Sequence, residues 1–122
     1  MEAGDTFRYG RATHLWVVVS NPRVDPGRVV VVNMSTDRGV DRSCILSPGD
    51  HPFVEHPTCM RYDMARIVTD ADLERHVSSN AIRLQEPVSK AVLERIRQGA
   101  AATDLIAFGC KQVLIEKGLI EP

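Results

Sequence analysis

Two runs of β-branched residues constrain the fold of this chain more than any other feature. Residues 15–20 and 29–34 are almost entirely apolar, and a loop with Pro26 and Gly27 separates them. Runs of this length, bounded by turn residues, are typical of strands buried on both faces. The sequence therefore predicts two paired strands in a curled sheet or small β-barrel, with a site at one edge.

The chain is predicted to be strand-rich at first and helical at its end. Short strands are expected at residues 6–10 and 43–46, and alternating polar and apolar residues predict a long half-buried strand at 58–68. This order is typical of an α+β fold with a mostly antiparallel sheet. We expect a single domain, with a barrel over about residues 4–86 and helices over about residues 87–118.

The helix starts and stops are marked by capping residues. Thr69, with Asp72 three residues later, has the spacing of a capping box and predicts a short helix. Apolar residues at helical spacing follow in two later segments. Helices are therefore expected at residues 87–98, ended by Gly99, and from Thr103 or Asp104 to Gly118.

Composition places the chain among ordinary globular proteins. Of its 122 residues, 43% are hydrophobic and 25% charged, and the net charge of −1 gives no sign of a chain-wide polyanion binder. The three cysteines, an odd number, argue against a disulfide scaffold and favour a reducing cytoplasm. No apolar run approaches the roughly 18 residues of a membrane span, so we expect a cytoplasmic protein without a membrane partner.

Polar residues flank the two apolar runs. His14 precedes the first run, and Ser35 and Thr36 end the second. Antiparallel pairing of the two strands would bring these groups into one cleft. Two other interpretations remain open: His14 could face solvent or bond to backbone at a strand end, and the hydroxyls could belong to a turn.

The order of these segments resembles the MazF/PemK-like toxins of bacterial toxin–antitoxin pairs. Gly4-Asp5 resembles the family's opening Gly-Asp and first strand. Residues 15–20 resemble its Arg-Pro-x-Val-Val-(aliphatic)-Ser strand, and residues 29–36 resemble its Val-Val-Val-x-Pro-(aliphatic)-Thr-Ser strand. Residues 61–73 resemble the later strand that runs into a short turn, and residues 88–96 resemble the C-terminal helix. The likeness covers about residues 4–98 and implies an SH3-like barrel.

The chain departs from this family at one functional position. Where the family has an arginine that helps to cleave RNA, this sequence has His14, and Leu15 replaces the proline that follows. Ser35 stands at the position of the family's hydroxyl residue, with Thr36 after it, and Arg11 is the nearest arginine. The resemblance therefore implies RNA cleavage, but by a changed set of side chains.

RNA cleavage without metal or cofactor requires a base, a cation and an acid. The 2′-OH is the nucleophile, so the base must take its proton, and the acid protonates the leaving oxygen. Histidine side chains titrate near neutrality and serve as either base or acid, and arginine stabilises the developing charge. We therefore assign catalytic roles to His14, Ser35, Thr36 and Arg11.

A loop rich in histidine and acidic residues is the second candidate region. Asp50, His51 and His56 lie within residues 49–56, and in the resembled family the corresponding loops help to grip RNA. We assign substrate binding to these three residues, and base stacking to Tyr62. The alternatives are a hydrophilic turn with Phe53 beneath it and a Tyr62 that packs on a half-buried strand face.

The same loop allows a zinc hypothesis. Cys44, His51, His56 and Cys59 are four potential ligands within sixteen residues, although only His56 and Cys59 have a typical paired spacing. In the stronger interpretation no metal binds, and both cysteines are small buried apolar residues on neighbouring strands.

Three classes of function follow. The first is an endoribonuclease toxin that cuts single-stranded RNA and is controlled by an antitoxin protein. The second is a non-catalytic toxin or interaction module that binds a protein target on the same barrel, because one fold hosts several functions. The third is a zinc-stabilised structural domain. The resemblance also implies a homodimer, in which pairing would cover exposed strand edges.

Overall fold

The computed structural model describes residues 1–11 and 14–122, which form six strands and three helices. In chain order these are β1 (Thr6–Tyr9), β2 (Leu15–Val18), β3 (Val29–Thr36), β4 (Ile45–Leu46), β5 (Thr58–Val68), α1 (Asp70–Ser78), β6 (Ile82–Gln85), α2 (Lys90–Ala102) and α3 (Phe108–Glu116). None of the helices in these described ranges has the length and apolar character needed to cross a membrane.

The strands form one antiparallel sheet in the order β4-β5-β3-β2-β1-β6. This confirms the α+β fold and the pairing of the two apolar runs. Within the described residues β4 and β6 are edge strands, and no backbone ladder closes the sheet. The segments after the two edge strands nevertheless meet, since the loop after β4 contacts the segment after β6 through a hydrogen bond from His51 Nε2–H to the Glu86 main-chain oxygen.

The two central strands are buried on both faces, as their apolar runs predict. On one face Val17, Val30 and neighbouring side chains pack beneath α2 and α3. On the other face Trp16, Val31 and their neighbours pack with Leu73 of α1. Alternation of side chains along a strand explains the division, since successive residues point to opposite faces.

The helix after β5 begins where the sequence predicts. Thr69 is the N-cap of α1, and its side-chain oxygen accepts a hydrogen bond from the main-chain N–H of Asp72 at 3.1 Å. This bond satisfies one of the first amide groups of the helix, which have no partner within it. The predicted boundary between strand and helix is therefore confirmed.

The bounds of the later helices differ from prediction. α2 begins at Lys90, after the N-cap Ser89, and continues through Gly99 instead of ending there. A Cβ at Gly99 would lie 2.2 Å from the Tyr62 hydroxyl, so this glycine permits a close contact between helix and sheet. The last helix begins at Phe108, four residues later than Asp104.

Candidate active site

An open cleft of about 520 Å³ lies where β2 begins and β3 ends. Leu15 pairs with Met34 in the antiparallel ladder, so the residue before Leu15 and the residue after Met34 lie side by side. His14 and Ser35 are those two residues, and both line the cleft. The pairing of two strands thus brings together groups that are 21 positions apart in the sequence.

His14 is exposed and stands at the rim of the cleft. Its Nδ1 lies 3.4 Å from the main-chain oxygen of Met34, a long contact that orients the ring only weakly. With the proton on Nδ1, the lone pair of Nε2 is available to accept a proton. The arrangement suits a general base or acid.

Three hydroxyl residues line the cleft, but they are not equivalent. Thr58 is buried and its Oγ1 donates a hydrogen bond to the His56 main-chain oxygen at 2.8 Å, so it fixes the loop. Ser35 is partly exposed and Thr36 is exposed at the end of β3. These two hydroxyls are the ones placed to contact a ligand.

His56 is the second histidine of the cleft. It is exposed, and its Nδ1 lies 3.2 Å from the main-chain oxygen of Pro57, which leaves Nε2 on the opposite side of the ring. Glu55 also lines this side of the cleft. The loop therefore places a second acid–base group in the same opening as His14.

Two arginines in the cleft escaped the sequence analysis. Arg8 lies on β1 with its guanidinium carbon 5.8 Å from the centre of the Phe53 ring, and Arg38 follows β3. Alternation along the first strand could have placed the Arg8 side chain on one face of the sheet. Its position in the cleft could not be predicted, because it depends on the distant loop that carries Phe53. The two arginines outnumber Glu55, so the cleft favours an anionic ligand.

Other predicted site residues lie outside this cleft. His51 is buried, its Nδ1 accepts from the Phe53 main-chain N–H at 3.0 Å, and its Nε2–H donates to Glu86. Asp50 accepts a hydrogen bond from the Ser47 main-chain N–H and forms an ion pair with Arg95. The hydrogen bond from Ser47 in particular holds the pKa of the Asp50 carboxyl below its ordinary value. Both residues are engaged within the fold.

Tyr62 and Arg11 are also separate from the cleft. Tyr62 is fully buried and donates a hydrogen bond from its hydroxyl to the Ile96 main-chain oxygen at 2.6 Å. Burial raises the pKa of this hydroxyl above its usual value. Arg11 is exposed and is not among the described residues that line the cleft.

The four residues of the zinc hypothesis are not gathered into one site. Among residues 1–11 and 14–122, no group of three or more histidine, cysteine or acidic side chains is placed to hold a metal ion. Cys44 and Cys59 are buried free thiols, and desolvation raises the pKa of each. They occupy neighbouring parts of the sheet, where Ile45 of β4 pairs with Cys59 of β5.

The cleft therefore combines two imidazoles, two exposed hydroxyls and two guanidinium groups. Such a set can bind a phosphate, stabilise additional negative charge on it and move protons to and from its oxygens. No family model, curated protein or solved structure matches this chain. The chemistry of the cleft is thus the basis on which a function can be argued.

Proposed function

We propose that this protein is an endoribonuclease that cuts single-stranded RNA without a metal ion, and that the cleft is its active site. The observation that carries the proposal is the presence of His14 and His56 in the same opening as Ser35, with Arg8 and Arg38 beside them. Two acid–base groups and a phosphate-binding set are what this reaction needs.

The proposed reaction is an internal transfer. His14 takes the proton of the 2′-OH, whose oxygen attacks the adjacent phosphorus and forms a cyclic phosphate. The bond from phosphorus to the 5′-oxygen breaks, and His56 supplies the proton to that leaving oxygen. Arg8 and Arg38 stabilise the charge on the phosphorane, and Ser35 and Thr36 orient the phosphate oxygens. The products carry a 2′,3′-cyclic phosphate and a free 5′-OH.

The resemblance to the MazF/PemK-like toxins extends this proposal. The curled sheet, tied by His51 and Glu86 across its two edges, would be a partly open SH3-like barrel. β6 is an edge strand with the half-exposed Leu84, which suits pairing with a second copy. An antitoxin would cover the cleft, and the three free thiols fit a reducing cytoplasm.

The test is cleavage of a mixed-sequence single-stranded RNA in EDTA by the wild type, His14→Ala and His76→Ala. His76 of α1 is the control histidine, because its ring packs against Tyr9. Tyr9 belongs to the cluster on the face of the sheet opposite the one that carries Met34 of the cleft. We expect cleavage that falls at least about 100-fold in His14→Ala and stays near the wild-type rate in His76→Ala. A 2′-deoxy nucleotide at the cleavage position should block the reaction.

Two results would overturn the proposal. One is the absence of cleavage by wild type whose thermal unfolding shows that it is folded, which would move the assignment to a protein-binding role. The other is an undiminished rate in His14→Ala, which would place the chemistry elsewhere.

A further inference from the structure

A smaller cavity of about 110 Å³ adjoins the cleft. Ser35, Thr36 and Arg38 line both spaces, so the end of β3 forms a shared wall between them. On the far side of this wall the cavity is bounded by Val40 and Cys59. A ligand held at the shared wall can therefore reach into both spaces.

The size and surface of this cavity suit one flat ring. Pockets for drug-sized ligands are typically about 300–1,000 Å³, several times larger than this space. Its accessible lining is mainly nonpolar and includes the buried Cys59. Val40 stands at its rim with 82% of its surface exposed, so its side chain is accessible to a ligand that enters the cavity.

The polar side chains of the cavity are paired with other groups of the protein. Arg61 and Asp63 form a two-pronged ion pair, with Nε–Oδ1 at 2.9 Å and Nη2–Oδ2 at 2.7 Å, and the arginine holds the pKa of the Asp63 carboxyl below its ordinary value. Asp41 accepts from the Ser43 amide and the Thr103 hydroxyl. The Arg61–Asp63 pair is also partly exposed, so its remaining N–H donors and oxygen lone pairs are accessible to the edge of a base.

We propose that this cavity is a nucleobase subsite, which receives the base next to the phosphate bound in the cleft. The proposal rests on the proposed function for the identity of that phosphate. Ser35 and Thr36 then contact the sugar–phosphate backbone at the shared wall. The base enters beyond them, packs against Val40 and meets the Arg61–Asp63 pair with its polar edge.

The experiment measures binding of the four 3′-ribonucleoside monophosphates by amide NMR, apart from any cleavage. We expect shifts at Val40, Cys59 and Arg61 and a preference for one base of at least about fivefold in affinity. Arg61→Ala should reduce this preference to less than about twofold, while the exposed Arg23→Ala should retain it. Val40→Ser should weaken all four nucleotides, and Val24→Ser, at another exposed valine, should not.

The outcomes separate this inference from the proposed function. RNA cleavage together with unmoved Val40, Cys59 and Arg61 amides would overturn the subsite and leave the ribonuclease in place. Base-selective binding at those amides without cleavage of RNA would support the subsite and overturn the proposed ribonuclease activity. A preference that survives Arg61→Ala unchanged would overturn the assigned role of the ion pair.

Discussion

The loop between β4 and β5 contains two histidines with opposite environments. His51, near the middle of the loop, is 6% exposed, and both of its ring nitrogens have partners in the protein. His56, five residues later, is exposed and lines the cleft. Because His51 is engaged on both sides, it anchors the loop, and because His56 is not enclosed, it is available to a ligand.

This difference arises from partners that are distant in sequence. His51 is hydrogen-bonded to the carbonyl of Glu86, 35 positions away, and the residues around His51 do not predict that contact. His56 lies where the end of β3 and the start of β5 meet, since Thr36 pairs with Thr58. A histidine-rich loop therefore divides into a structural part and a candidate catalytic part only once the strands are paired.

The largest expected effect is the loss of RNA cleavage on replacing the exposed histidine, His56. His56→Ala should lower the rate of RNA cleavage by about 100- to 10,000-fold, because the leaving oxygen loses its acid. The free energy of unfolding should change by less than about 0.5 kcal/mol, because the side chain is exposed. Rates from single-turnover cleavage and urea unfolding check both parts. Cleavage at the wild-type rate would remove His56 from the mechanism.

Replacing the buried histidine, His51, should instead lower the stability of the protein. His51→Ala leaves the Phe53 N–H without its partner and opens space in a packed region. It also removes one of the two hydrogen bonds to the Glu86 carbonyl, which still accepts from the Thr6 hydroxyl. We expect the free energy of unfolding to fall by about 2–4 kcal/mol. Urea unfolding measures this directly, with the exposed His56→Ala as the matched control. Equal stability of the two variants would contradict the division of the loop.

A smaller effect is expected at the buried tyrosine. Tyr62→Phe keeps the ring but removes the hydroxyl that donates to the Ile96 carbonyl. The free energy of unfolding should fall by about 1 kcal/mol, because one buried hydrogen bond is lost while the Ile96 carbonyl stays within α2. RNA cleavage should be unchanged at temperatures where the variant is folded. A selective loss of RNA binding without loss of stability would return Tyr62 to the site.

The smallest effect concerns the carboxylate next to His51. The pKa of Asp50 is lowered from 3.8 in the folded state, so its contribution is present above that value and is lost as the pH falls through the lower folded pKa. Asp50→Asn should cost less than about 1 kcal/mol at pH 7, because the pair with Arg95 is partly exposed. In urea unfolding, the difference from wild type should shrink steadily as the pH is lowered below 3.8. A constant difference across that range would assign the effect to packing.

The sequence was informative where a pattern is local. The strand at 58–68 matches β5 residue for residue, and the cap at Thr69 is confirmed, because alternation and capping depend on near neighbours. β6, Ile82–Gln85, was missed although apolar and polar residues alternate in it, because four residues give a weak period. Gly99 was interpreted as a helix end, since nothing nearby indicates its contact with Tyr62.

Only part of the candidate site could be predicted from the sequence. His14, Ser35 and Thr36 were grouped because strand pairing follows from the two apolar runs, and the structure places all three in one cleft. Arg8 and Arg38 were not singled out, because their place in the cleft depends on how the whole sheet curls.

The most direct test follows the ring resonances of the four histidines by NMR as a single-stranded RNA with blocked 2′-hydroxyls is added. Single-histidine variants assign each resonance. We expect the His14 and His56 resonances to shift with a common saturation curve, while those of His51 and His76 stay in place. Unmoved His14 and His56 resonances at saturating RNA, or shifts centred on His51, would contradict the assignment of the cleft as the active site.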